Sequence, residues 1–294
     1  MTDWAIETHN LGQRFGNTWA VQGLDLQVPR GSVFGLLGEN GAGKSTTIQM
    51  LMGLLPPSEG SAEVLGFDPV TQDVAVKSHV GYVAEHHGFY ESMRVQDLIA
   101  MIAAYHTTWN DSVRAELQQE FALQDKARIS DLSKGMRAKL ALLMALAFEP
   151  DMLILDEPAG GLDPAARRNF IETILSRYQE TGKTILLSSH LLNEFSGLLD
   201  HVAFLREGKV DFVSPLEQLH KSMKQVRLVF DNGVLEQLEV PGSINLKTSG
   251  REAVAIFDQF NEHATLASLD RLNASHVLVE ELSLEDIFVA RMCA

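Results

Sequence analysis

The sequence predicts an α/β fold: a parallel-stranded core that carries an antiparallel β subdomain and a helical subdomain, followed by a small C-terminal α+β domain. Three observations predict it. The short apolar runs Val33–Leu37, Met152–Leu155 and Thr184–Leu187 have the continuous character of strands buried on both faces. Between Glu91 and Pro150 the apolar spacing turns helical, as in Val95, Leu98, Ile99, Ile102 and Ala103. Beyond Pro215 strand-like segments recur among helices.

Taken in order, Trp4 to Val28 alternates apolar and polar residues around Gly12, Gly16 and Gly23, which predicts short antiparallel strands with turns at those glycines. The run Val33-Phe34-Gly35-Leu36-Leu37 enters a glycine-rich loop, and Thr46 to Leu55 has helical spacing that stops at Pro56-Pro57. The stripe Leu98, Ile99 and Ile102 reads as the core face of a helix. Ala165 to Tyr178 reads as a crossover helix between the two later parallel strands, and Val202 to Val213 as a hairpin turning at Glu207-Gly208-Lys209. Strands are expected at Val226–Phe230, Val254–Phe257 and Val277–Val279. The domains follow as residues 1–213, with a helical subdomain over about 86–150, and 214–294.

At 294 residues the chain is long enough for one large domain and a small one. No uninterrupted apolar run reaches the length of a membrane span, and Asp3 and Glu7 stand where a signal peptide would be basic and then apolar, so a cytoplasmic protein is expected. The single cysteine, Cys293, excludes an internal disulfide and disfavours a zinc site or a thiol nucleophile. A net charge of −15 with no Lys/Arg-rich run argues against a nucleic-acid partner.

Chemistry concentrates in two places. Gly38-Glu39-Asn40-Gly41-Ala42-Gly43-Lys44-Ser45, with Thr46 following, places two glycines with four residues between them before Lys and Ser, between a strand and a helix. That run fits the pattern of a phosphate-binding loop. Its glycines let backbone N–H groups curl around an anion, the helix N-terminus adds partial positive charge, Lys44 neutralises the β/γ oxygens and Ser45 ligates Mg²⁺. The second place is Met152-Leu153-Ile154-Leu155-Asp156-Glu157, an apolar strand ending in two carboxylates. Buried charges need partners, and Mg²⁺ held through Asp156 with an attacking water oriented by Glu157 would supply them. Together these residues predict binding and hydrolysis of MgATP.

Leu132-Ser133-Lys134-Gly135-Met136, shortly before Asp156, resembles the signature motif of ABC ATPases. Phe15 resembles the aromatic residue that stacks on adenine in that family, although a core position is also open to it. Glu85, after Gly81-Tyr82-Val83-Ala84, falls at the Q-loop; Gly161-Leu162-Asp163 resembles the D-loop; His190, after Ser188-Ser189, resembles the switch histidine. The resemblance covers about residues 4 to 213 with the motifs in family order. It implies a P-loop NTPase of the ABC ATPase type working as a head-to-tail homodimer through its ATP sites. Ser133 and Gly135 would then face the γ-phosphate held by the other subunit, His190 would contact that phosphate and the attacking water, and Asp163 would carry the state of one site to its neighbour.

Three positions depart from the family pattern. Glu85 stands in place of glutamine and puts another potential metal ligand near the γ-phosphate, Lys134 replaces a glycine, and Met136 replaces a glutamine. His86 and His87 read as solvated loop residues rather than a metal site, and Arg137 and Lys139 as a solvated helix face. A chain with one cassette and no span implies separate transmembrane permease subunits that hold it at the inner face of the membrane, docked through the segment between Glu85 and Leu132. Lys134-Gly135-Met136 and Leu282–Phe288 resemble the branch serving ABC-2 type exporters. The alternative is a non-transport ABC ATPase of cofactor assembly, translation or DNA repair. A single cassette, the lack of a long coiled-coil insertion and the charge speak against it. A binder without turnover is opposed by Glu157 and His190.

Overall fold

The computed structural model describes residues 3–158, 160, 162, 167, 169–174, 182–190, 195–231 and 238–292. Contacts divide the chain into two compact units, Met1–His190 with His201–Val213, and Leu191–Asp200 with Ser214–Ala294. The limits read from the sequence, 1–213 and 214–294, differ from this division only over Leu191–Asp200.

The first unit opens with strands β1 (Trp4–Phe15), β2 (Thr18–Leu24) and β3 (Gln27–Pro29). β1 pairs antiparallel with β2, β3 and the later β5 (Glu59–Val64). One expectation fails here: Gly12 makes no turn, and β1 runs through it as one twelve-residue strand. The pairing slips instead, between Leu11 and Gln13 against β2 and between His9 and Gly12 against β5. A slip of this kind bends a strand without ending it, so one long strand serves two partners.

The second sheet has the order β10-β9-β4-β8-β7-β6. Its strands are β4 (Val33–Leu37), β6 (Val80–Val83), β7 (Met152–Asp156), β8 (Thr184–Ser189) and the hairpin β9 (His201–Arg206) and β10 (Lys209–Pro215). The pairs β9·β4, β4·β8, β8·β7 and β7·β6 are parallel. Every residue of β4, β7 and β8 is buried, which is why these strands read as unbroken apolar runs rather than alternating ones.

Helix α1 spans Lys44–Leu51, two residues earlier at its start than the apolar spacing placed it and shorter at its end. Gly53 takes a left-handed φ of 62°, and the amides of Leu54 and Leu55 both return to the carbonyl of Gln49. A glycine closure of this type ends a helix before any proline is reached. Between β6 and β7 lies the helical subdomain: α3 (Val95–Ala103), α4 (Asp111–Glu120) and α5 (Lys134–Leu146), preceded by the short α2 (Asp73–His79). Val95, Leu98 and Ile99 are buried as the core face of α3, with Ile102 at its margin. Residues 169–174 are helical; the rest of the expected Ala165–Tyr178 helix lies outside the described residues, as does Cys293.

The second unit contains an antiparallel sheet of order β12-β13-β11-β14, from β11 (Lys224–Val229), β12 (Asn245–Ser249), β13 (Glu252–Phe257) and β14 (His276–Glu281). Val226, Leu228, Ala253, Ala255 and Phe257 line its core face together with Leu269. β12 was not foreseen: Asn245-Leu246-Lys247-Thr248-Ser249 is an edge strand with three exposed polar residues, so the apolar alternation that marks a strand is missing. No described helix is long and apolar enough to cross a membrane.

Candidate active site

Three adjacent strands end at one edge of the parallel sheet. β4 leads into Gly38–Ser45, β7 into Asp156 and Glu157, and β8 into His190, with Leu37 beside Ser189 and Asp156 beside Ser188. The carboxyl ends of strands in an open α/β sheet face the crevice in which ligands bind. Residues more than a hundred positions apart thus meet within a few ångströms.

The loop is built for close approach. Gly43, which caps α1, has φ 104°, and a Cβ there would stand 2.5 Å from the carbonyl oxygen of Ala20. At Gly38 a Cβ would stand 2.4 Å from the carbonyl oxygen of Leu205. No side chain fits either position. Lys44 is buried, and its Nζ donates to the carbonyls of Gly38 at 2.7 Å and Glu39 at 3.1 Å.

Lys44 Nζ also lies 3.1 Å from Glu157 Oε1, an ion pair in which both side chains are less than a tenth exposed. The other oxygen of Glu157 meets His190 Nδ1 at 2.7 Å. Glu157 holds the left-handed φ of 45°, a conformation that a residue other than glycine keeps only when its surroundings fix it. Ser188 supplies part of that fixing. Its hydroxyl accepts from the Glu157 amide at 2.9 Å and donates to Asp156 Oδ1 at 2.7 Å, while Ser45 Oγ donates to the same oxygen at 3.1 Å.

Burial pushes the Asp156 carboxyl above its ordinary range; the Ser188 and Ser45 hydroxyls oppose the rise, and the nearby charges of Glu85 and Glu157 add to it. Tyr82 is pushed up to about 12 by burial and by Asp156. A carboxylate gathered with other anions and only hydroxyl donors is a cation's partner. Asp156 and Ser45, joined at 3.1 Å, are oxygen donors of the kind a hard divalent ion takes, and the charge of Glu85 adds to the negative field there.

The other expected residues that the structure describes lie on other elements. Phe15 ends β1 with 54% of its surface exposed, which removes the core reading for it. Ser133 caps α5, accepting from the Met136 amide at 3.2 Å, and it is exposed, as is Lys134. Among the described residues no hydrogen bond or ion pair joins Ser133 to Lys44 or Glu157. Asp163 lies outside the described residues. Arg137 is not the free, solvated side chain expected of it: its guanidinium makes a bidentate ion pair with Glu91, and Nε donates to the Leu132 carbonyl. This pair ties the signature helix to the segment that follows Glu85. The sequence marks Ser188 only as a residue before His190 and assigns it no role, since a serine at a strand end announces itself only through the neighbours it bridges.

The matches to known proteins agree with this geometry. Residues 21–160 match the ABC transporter family model. The chain is 30% identical over 293 residues to the bacitracin transport ATP-binding protein BcrA of Bacillus licheniformis, covering 97% of this chain and 96% of that one. The chain belongs to the ABC transporter ATP-binding proteins. It is an ATP-binding, ATP-hydrolysing subunit of that family. It is also 37% identical over 211 residues to the daunorubicin/doxorubicin resistance ATP-binding protein DrrA of Streptomyces peucetius, over 70% of this chain and 64% of that one. Among solved structures, the ATP binding subunit of an ABC transporter superposes with a TM-score of 0.67 at 27% identity, over 74% of this chain and 92% of that one. A dimeric ABC cassette bound to ADP and phosphate shares the fold at a TM-score of 0.65 and 18% identity, over 72% of this chain and 98% of that one. The α/β architecture is that of an ABC ATPase.

Proposed function

We propose that two copies of the chain close on two MgATP molecules and that this closure drives a separate exporter permease. The single observation that carries the catalytic part is the meeting of Lys44 with Glu157 at the mouth of the phosphate loop. In this reading Lys44 holds the β/γ-phosphates, and Glu157 takes the proton of the attacking water as general base. His190 orients that water and the γ-phosphate; Ser133 and Gly135 of one copy close over the nucleotide of the other, and Phe15 stacks on adenine. Bound through Ser45, Asp156 and Glu85, Mg²⁺ supplies charge neutralisation at the phosphates. Asp163 relays between the sites.

Export is supported by relatives named for bacitracin transport and for daunorubicin/doxorubicin resistance. A groove of about 380 Å³ between β6, α3 and α5, lined by Tyr82, His87, Phe89, Ile102, Met144 and Phe148, is the surface offered to the permease. It adjoins Glu85, so a force applied there reaches the nucleotide site through a few residues. The domain limits, 1–213 for the ATPase and 214–294 for the accessory part, follow the same reading.

The test is reconstitution with the permease from solubilised membranes. Phosphate release should rise when the permease is present, and Ala141→Trp, at a small residue of α5 that also lines the groove, should remove that rise while leaving basal turnover in place. Equal stimulation of wild type and variant would sink the docking assignment.

A further inference from the structure

The sheet of the second unit ends on β14, which pairs with β11 on one side and with no described strand on the other. Edge strands are usually short, charged or covered, because their free amides and carbonyls recruit other strands. β14 is unlike its counterpart at the opposite edge: β12 ends in Lys247, Thr248 and Ser249, whereas β14 exposes Val277, Leu278 and Val279 by 36%, 51% and 41%. The exposed apolar run is flanked by His276 on one side and Glu280 on the other.

We infer that β14 is a self-pairing edge, at which a second copy of this chain adds its own β14 antiparallel to form a continuous sheet across a twofold axis. Register decides the matter. In an antiparallel pair, directly opposed residues share a face, so a strand meeting its twofold mate must oppose residues of like parity. With the axis at Leu278, each Leu278 faces the other, Val277 faces Val279, and His276 faces Glu280 at both ends. Shifting the axis by one residue to Val279 sets Leu278 against Glu280 and Val277 against Glu281, which opposes apolar groups to carboxylates. The first register matches apolar to apolar and basic to acidic throughout; cross-strand pairs of that kind stabilise a sheet and mismatched ones oppose it.

Within its own sheet Glu280 Oε2 accepts from Gln225 at 2.7 Å and stands 3.5 Å from Arg227 on the neighbouring strand, which leaves Oε1 for a cross-axis partner.

The experiment uses the full chain without nucleotide, in EDTA. Sedimentation at tens of micromolar should show a monomer–dimer equilibrium. Leu278→Lys, which sets two like charges face to face across the axis, should weaken it at least about tenfold with an unaltered melting temperature. Opposed residues stand about 4.5–5.5 Å apart at Cα, within disulfide reach. In a Cys293→Ser background, Leu278→Cys should therefore form a disulfide-linked dimer under mild oxidation, while Thr248→Cys at the opposite edge should not. A chain that stays monomeric, a Leu278→Lys dimer as tight as wild type, or cross-linking through position 248 instead of 278 would each overturn the inference. The closure on nucleotide is read separately, in MgATP, so failure of one contact leaves the other open to measurement.

Discussion

Lys44 Nζ stands 3.1 Å from Glu157 Oε1, so an ion pair joins the end of the phosphate loop to the end of β7. Both are buried, where an unpartnered charge costs several kcal/mol. In the proposed reading an incoming triphosphate would compete with Glu157 for Lys44.

Glu157→Gln removes the negative charge that competes with phosphate for Lys44. ATP affinity should therefore be kept or raised, while hydrolysis falls by about two to four orders of magnitude, as loss of a general base requires. An ATP-bound dimer should accumulate. Equilibrium binding, single-turnover hydrolysis and light scattering in MgATP check the three effects. A monomer under those conditions would count against the assignment.

Lys44→Ala leaves Glu157 buried with His190 as its remaining partner at 2.7 Å. The expected results are loss of nucleotide binding and a fall in stability of about 3 kcal/mol, the cost of breaking a buried ion pair from one side. Titration with a fluorescent nucleotide measures the first and denaturant unfolding the second. Unaltered affinity in a folded variant would refute the role.

Ser188 is the residue whose importance only the fold reveals. Its hydroxyl bonds both the Glu157 amide and Asp156 Oδ1, and it is fully buried. Ser188→Ala should leave an amide and a carboxylate oxygen short of a partner, at about 1–3 kcal/mol of stability. Turnover should drop while ATP affinity holds, because the left-handed backbone at Glu157 loses one of its restraints. A parallel loss of affinity and turnover would show a merely structural role.

Why Lys44, Ser45, Asp156 and Glu157 could be read from sequence and Ser188 could not is a matter of locality. A phosphate loop is a continuous run of backbone whose glycines are demanded by torsion and space at Gly38 and Gly43, so its chemistry is written in adjacent letters. Two carboxylates closing an apolar strand are likewise anomalous on their own. Ser188 acts through a parallel register with β7, and Arg137 through a pair with Glu91 forty-six residues away, so neither leaves a local trace. The strands of the core were legible for the same reason that β12 was not: β4, β7 and β8 are buried on both faces, whereas β12 is a polar edge.

His106 stacks on Phe148 with ring centroids 3.8 Å apart, and burial holds its pKa below the ordinary 6.5. Because the folded chain binds this proton less readily than the unfolded chain, the unfolded state gains stability as pH falls through 6.5. The contribution is absent well above that value and grows toward the lowered folded pKa. Replacing His106 by Phe keeps an aromatic partner for Phe148 and removes the titration. The difference in unfolding free energy between wild type and His106→Phe should therefore be flat above pH 7 and widen in favour of the variant between pH 6.5 and 5. Chemical denaturation at half-unit steps measures it, and a difference that stays constant across the range would mean that the stacked ring takes up its proton as easily folded as unfolded.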